Sequence, residues 1–301
     1  MGVEYFGWRA LWNPEMIVVT LILAVLYVEL IGPLRRFFPD SAPATLKQKL
    51  FFFLGLLALY AAKGSPMEIY SHFMFSVHMT QMAIFFLVMP PLLMLGIPAW
   101  AYRPLFRMPR LSKVLNFITK PLLTVIIFNG LFSFYHMPMV FDKIMANEFL
   151  HFSYVSVLLV TAFLMWWPLL CPLPEKDHMS GLAKLGYIFA DGILITPACA
   201  LIIFAETPLY QTYTDPAVWV QVMQFCVPAG ISLDGLTPQQ FSWFDTVEDQ
   251  QLGGIVMKII QEIVYGTVLG VVIFAWMKKE RANDQYDLNP SAKFLAMRNR
   301  G

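Results

Sequence analysis

Charge and cysteine are what this sequence has least of. Only 14% of its 301 residues are charged and the formal net charge is +1, so no basic field is available for nucleic acid. The three cysteines, Cys171, Cys199 and Cys226, are scattered and form no Cys-x-x-Cys pair, which argues against a disulfide framework. No nucleophile elbow, phosphate loop or metalloprotease motif appears, so an enzyme is the least supported class. The N-terminus lacks a charged n-region and a small-residue cleavage site, and its first apolar run is expected to be retained as an anchor. Internal repeats, low-complexity stretches and a second, soluble domain are missing as well.

What is present is hydrocarbon. The chain is 58% hydrophobic with a mean hydropathy of +0.60, a balance that excludes an ordinary soluble domain and implies an all-α, polytopic integral membrane protein. A helix needs about 20 apolar residues to cross a bilayer. Seven runs approach this, at 15–34, 48–63, 70–95, 119–137, 149–170, 185–205 and 253–277, and together they predict one seven-span bundle over residues 1–301. In the third, Pro90-Pro91 predicts a kink or an early end.

Basic residues orient the bundle. Seventeen of the Lys and Arg fall in the alternate linkers around 35–49, 103–120 and 176–184 and in the tail 278–301. Only Arg9, Lys63 and Lys143 fall on the other side, while Lys258 lies inside a span. The asymmetry predicts the N-terminus outside and the C-terminus in the cytoplasm. Segment 206–252 then becomes an acidic outer loop with six carboxylates and no Lys or Arg, and its apolar stretch 217–233 reads as an interfacial or re-entrant element.

Depth sorts the histidines. His72 and His78 fall in the first turns of the third span, His136 at the outer end of the fourth, and His151 at the outer start of the fifth, three residues after Glu148. Only His178 is cytoplasmic. Imidazoles are costly in hydrocarbon and mark function more often than chance. On one helix, Met74/His78 and His78/Met82 are i, i+4 pairs, and His72/Met79 lie two turns apart on a neighbouring stripe. Imidazole with thioether suits Cu(I) better than Mg²⁺, Ca²⁺ or Zn²⁺. The residues singled out as metal ligands are His78, Met82, His72, Met79, His136 and His151, with Glu148 and Asp249 as neighbouring carboxylates. Against this stands the plain alternative that methionine stripes are usually core packing. Lys258 and Glu262 are spaced to neutralise each other, and Asp191, Glu29 and Asn129 are placed for interhelical contacts. A retinal-type pigment is disfavoured because Lys258 lies near the outer end and the third span offers no carboxylate beyond Glu68; a haem is disfavoured because paired deep histidines are lacking.

Four motifs together resemble a known family, the CtaG membrane proteins of Gram-positive bacteria, assembly factors for caa(3)-type cytochrome c oxidase. They are His78-Met79-Thr80-Gln81, Glu148-Phe149-Leu150-His151, Trp166-Trp167-Pro168 and Asp249-Gln250-Gln251-Leu252-Gly253-Gly254-Ile255-Val256-Met257, and the likeness runs from Trp12-Asn13-Pro14 to the end of the seventh span. The resemblance implies a role in maturing the oxidase through its buried copper site. Its implied partners are the oxidase subunits, the lipid bilayer and an extracytoplasmic copper donor, with transiently bound copper as cargo and a homo-oligomer left open. A metal-free scaffold that stabilises an assembly intermediate is the alternative. The chain departs from the family at Met82, where a second histidine is common, and at Lys258, where tryptophan is common.

Overall fold

The computed structural model describes residues 3–228 and 231–287, and among them every regular element is helical. Seven helices overlap the predicted apolar runs: α1 (Pro14–Ile31), α2 (Leu46–Lys63), α3 (Phe75–Gly96), α4 (Pro121–Tyr135), α5 (Glu148–Leu170), α6 (Gly181–Ile203) and α7 (Thr246–Asp287). Their starts are written in the sequence. The side chains of Asn13, Asn147 and Ser180 cap α1, α5 and α6, and Thr45 with Gln48 forms a capping box on α2. Pro14 and Pro121 open α1 and α4 at the position where a missing N–H costs nothing.

Helix α3 is the axis. It packs against α2, α5 and α7, and the ring α3–α7–α6–α4–α5 closes on itself, while α1 packs chiefly on α2 and is exposed over most of its surface. Small residues set the closest approaches. A Cβ at Gly96 would fall 2.5 Å from the Phe52 backbone nitrogen, so α2 and α3 meet there at backbone contact. Gly253 and Gly254 let α7 approach two neighbours at once: the first faces Phe75 and Ser76 of α3, the second Cys199 and Ile203 of α6.

Polar groups inside the ring are tied between helices. Asp191 of α6 accepts from Asn129 of α4 and from Tyr265 of α7, the latter at 2.7 Å. Tyr187 of α6 donates to the Met165 carbonyl of α5 at 2.8 Å. Outside the ring, Lys258 and the exposed Glu262 pair at 2.8 Å within α7. The interhelical role expected of Asp191 and Asn129 is therefore seen, whereas Glu29 is exposed on α1.

Three expectations need correcting. First, the 70–95 run is not one helix. A short helix, Pro66–Tyr70, and a turn precede α3, which starts only at Phe75 after an extended Met74. The turn carbonyls are taken by distant donors, Ser71 by Tyr213 Oη at 2.8 Å and His72 by Trp219 Nε1 at 3.0 Å, so nothing requires helix there. The helical stripes that placed Met74 beside His78 and His72 above Met79 therefore do not exist.

Second, Pro90-Pro91 neither ends nor sharply breaks α3. A π-helical stretch, Ile84–Val88, precedes them, and the helix runs on to Gly96. Pro90 has no N–H to give the Phe86 carbonyl, and Trp166 Nε1 of α5 donates to it instead, at 3.2 Å.

Third, length and apolarity alone do not reach seven crossings. Among the described residues, five helices are long and apolar enough to cross a membrane, within Val3–Ile31, Phe75–Gly96, Glu148–Leu170, Gly181–Ile203 and Thr246–Lys278. Pro109–Ile118 with α4 makes a sixth only if the two, bent by 64°, count as one span. Helix α2 is 18 residues long and carries Lys47, Lys49 and Lys63. The start of the expected tail, from residue 278, continues α7 to Asp287, and the rest of it lies outside the described residues.

Candidate functional site

At one end of the bundle the N-terminal segment, the Pro66–Met74 region and the 206–252 segment fold together into a cap. Phe6, Phe73, Trp219 and Phe241 form its apolar centre, with Phe73 and Phe241 stacked at 4.7 Å. The 206–252 segment contributes a short helix, Pro216–Met223, capped by Asp215. Asp142, from the helix Pro138–Met145, fastens the segment by accepting from Thr212 N at 3.0 Å and Thr212 Oγ1 at 2.8 Å.

Beneath this cap the predicted residues separate into two groups and a remainder. The first group is His78 with His136. Their rings lie 6.3 Å apart, inside a shell of Tyr135, Phe141 and Phe132. His136 is fully buried, and its Nδ1 lies 2.8 Å from the Phe132 carbonyl. A carbonyl only accepts, so Nδ1 carries the proton and Nε2 presents a bare lone pair. Neither that Nε2 nor the Nε2 of His78, which is 2% exposed, has a partner among the described residues.

The second group lines a cavity of about 420 Å³ between α2, the Pro66–Met74 region, α5 and the cap. Its walls include His72, His151, Glu148, Lys63, Glu68 and Cys226. Glu68 pairs with Lys63 at 3.1 Å and also accepts from Gln81, whose Nε2 donates to the Ala62 carbonyl at 2.7 Å. Thus Gln81 of the His-Met-Thr-Gln unit fixes the carboxylate of this cavity. His72 is buried, and its Nε2 lies 3.2 Å from Cys226 Sγ. Burial pushes the Cys226 thiol up to about 12, with Glu68 acting in the same direction and Lys63 against it.

The remainder are spoken for by packing and capping. Met79 and Met82 are buried in the main apolar core with Phe75, Phe86 and Phe132. Asp249, on the first turn of α7, caps α3: its carboxylate accepts from the backbone of Phe75, from Ser76 N at 3.3 Å and from Ser76 Oγ. Met257 is fully buried in the same core. Among the described residues no three His, Cys, Asp or Glu side chains converge as a metal-holding group. Sequence reasoning left both Cys226, read only as one of three scattered thiols, and Glu68, named only as the carboxylate at the start of the third run, outside the candidate site. The signal for Glu68 was its spacing of five from Lys63; Cys226 gave none, because its partner lies 154 residues away.

The sequence profile of the family described as cytochrome c oxidase caa3 assembly factor (CtaG) matches residues 25–279. The chain belongs to this family. The match takes in α2 to α6, most of α7 and all eight residues of the predicted site, while Trp12-Asn13-Pro14 lies outside it. Neither the curated proteins nor the solved structures gave a significant match. As a caa3 oxidase assembly factor, the chain falls in a family whose work is the building of another enzyme, and its several apolar helices suit a multi-pass membrane protein.

Proposed function

We propose that this assembly factor takes up Cu(I) at the capped end of its bundle and passes it to the buried copper site of the oxidase catalytic subunit. The observation that carries the reading is that two buried imidazoles at that end each keep a ring nitrogen without a partner among the described residues: His78 Nε2 and His136 Nε2. Unpaired polar atoms in an apolar interior cost about 1–3 kcal/mol each, and a soft, weakly hydrated cation is the cargo that such nitrogens suit. His78 and His136 are the holding pair. The Phe132 carbonyl fixes the tautomer of His136, Asp249 fixes the first turn of α3 from which His78 projects, and Tyr135 and Phe141 keep water away.

Seven crossings, with the N-terminus outside and the C-terminus in the cytoplasm of a bacterial plasma membrane, complete the proposal. The lysines of α2 sit at its two ends, where their long stems reach the interface. The capped end then faces outward, toward an extracytoplasmic copper donor and the outer-facing copper site of the oxidase subunit. The absence of a converged three-ligand group among the described residues favours a second reading, a metal-free scaffold for an assembly intermediate.

The test is a Cu(I) titration of the purified protein under reducing conditions, against a competing chelator. The parent is expected to bind and a His78→Ala, His136→Ala double variant to lose that binding. No binding by the parent overturns the copper reading. Normal oxidase maturation in a strain carrying the double variant overturns it equally and supports the scaffold.

A further inference from the structure

Cys226 and His72 come from opposite sides of the cap, and both are held in place. Cys226 follows the Pro216–Met223 helix, its N–H donating to the Met223 carbonyl at 2.9 Å. His72 is fixed through its carbonyl by Trp219 of that same helix and through the neighbouring Ser71 carbonyl by Tyr213. The result is a thiol sulfur 3.2 Å from an imidazole nitrogen, 154 residues apart in the chain. Such a contact is a weak hydrogen bond.

The surroundings are what make the pair informative. Cys226 and Glu68 line two cavities at once. One, of about 440 Å³, also borders Arg9, Glu15 and Ile69 toward the N-terminal segment. The other is the 420 Å³ cavity that leads to His151 and Glu148. His72 faces this second cavity and is 4% exposed. The boundary shared by the two cavities therefore carries a thiol and a carboxylate, the latter neutralised by Lys63, and the imidazole of His72 meets the thiol from the second cavity.

We propose that Cys226 and His72 form a receiving site for Cu(I), separate from the His78/His136 pair and reached before it. The inference rests on the copper reading above and adds a thiolate ligand to it. On uptake the S–H bond of Cys226 breaks and an S–Cu(I) bond forms while His72 Nε2 donates its lone pair. The proton leaves through the open cavity, and no electron is transferred. A thiolate beside an imidazole is a donor pair that copper takes readily, whereas a structural zinc asks for about four ligands and finds no such group among the described residues. His151 lines the same cavity as His72. The site also gives the cap a purpose, because the helix whose Trp219 holds His72 by its carbonyl leads directly into the thiol.

The experiment uses the purified full chain under reducing conditions, titrated with Cu(I) against a competing chelator, in the parent, Cys226→Ser and the His78→Ala, His136→Ala double variant. Parent and double variant are expected to show an ultraviolet thiolate-to-copper band that Cys226→Ser lacks. Cys226→Ser should abolish binding of this ion while leaving the ion held by His78 and His136. Because a substitution can disturb the cap, a second readout uses unaltered cysteines: Cu(I) should shield Cys226 of the parent from alkylation, scored peptide by peptide by mass spectrometry. Copper binding by the parent with no thiolate band and no shielding overturns this site and leaves the copper reading standing. Failure of the parent to bind Cu(I) at all overturns both.

Discussion

Replacing Asp249 separates a structural carboxylate from a metal-drawing one. Its three donors are the backbone N–H groups of Phe75 and Ser76 and the Ser76 hydroxyl, and it is 4% exposed. Two of these donors belong to the first turn of α3, where no intrahelical acceptor exists. Loss of an ordinary helix cap costs about 0.5–2 kcal/mol, and hydrogen bonds to a charged group are worth about 1.5–3 kcal/mol each. The Ser76 N–H bond is long at 3.3 Å and the three are not additive. Asp249→Ala is therefore expected to cost about 3 kcal/mol. Asp249→Asn, which keeps one acceptor oxygen, should cost about half of that. For a chain of this size the alanine variant should unfold about 6 °C below the parent. The assay is thermal unfolding in detergent followed by tryptophan fluorescence, with Cu(I) affinity measured alongside at a temperature where both variants are folded. The reasoning is refuted if Asp249→Ala unfolds at the parental temperature while its Cu(I) affinity falls, because the carboxylate would then serve the ion and not the helix.

Two further expectations come from the same physical terms. Trp166→Phe removes the side-chain donor that Phe86 has in place of a backbone N–H, and should cost about 1–3 kcal/mol. Adding Pro90→Ala restores a backbone N–H one turn along, so a double-mutant cycle should show a favourable coupling of about 1 kcal/mol, and strict additivity would sink the explanation. For Cys226, burial raises the thiol from 9.0 to about 12, so the neutral form prevails across about pH 7–10 and the thiolate fraction grows about tenfold per pH unit. Its alkylation rate, followed by mass spectrometry, should keep climbing through about pH 9, and a plateau there would contradict the burial. The linkage has the same sign: stability from the protonated buried thiol is complete below pH 9.0 and is lost as pH rises toward 12.

How far the site was legible depends on where each constraint is written. The convergence of His72, His78, His136 and His151 on one end was readable, because apolar runs of near-constant length fix depth by simple counting. The family was readable from four short motifs. The stripes assigned around His72 and Met74 were not, because the chain leaves the helix at Ser71–Met74 for reasons that lie elsewhere: Trp219, Tyr213 and Asp249 supply the hydrogen bonds that make a turn there as good as a helix. Asp249 and the histidines share an end of the bundle, yet the carboxylate was placed as a neighbour of the metal when its oxygens are occupied by α3. Glycines 253 and 254 announced close packing without saying against what; the answer, α3 on one side and α6 on the other, needed helix order.

The sequence by itself determined that the chain is an all-helical, apolar bundle of the caa3 oxidase assembly family, since hydropathy, caps and motifs act within a span or a few turns. Only the tertiary structure decided which imidazoles meet. His78 faces His136 because α3 and α4 lie across a closed ring of helices. His72 faces Cys226 because the 206–252 segment folds back over the bundle end. Both pairings join residues far apart in the chain, and no local periodicity carries such information.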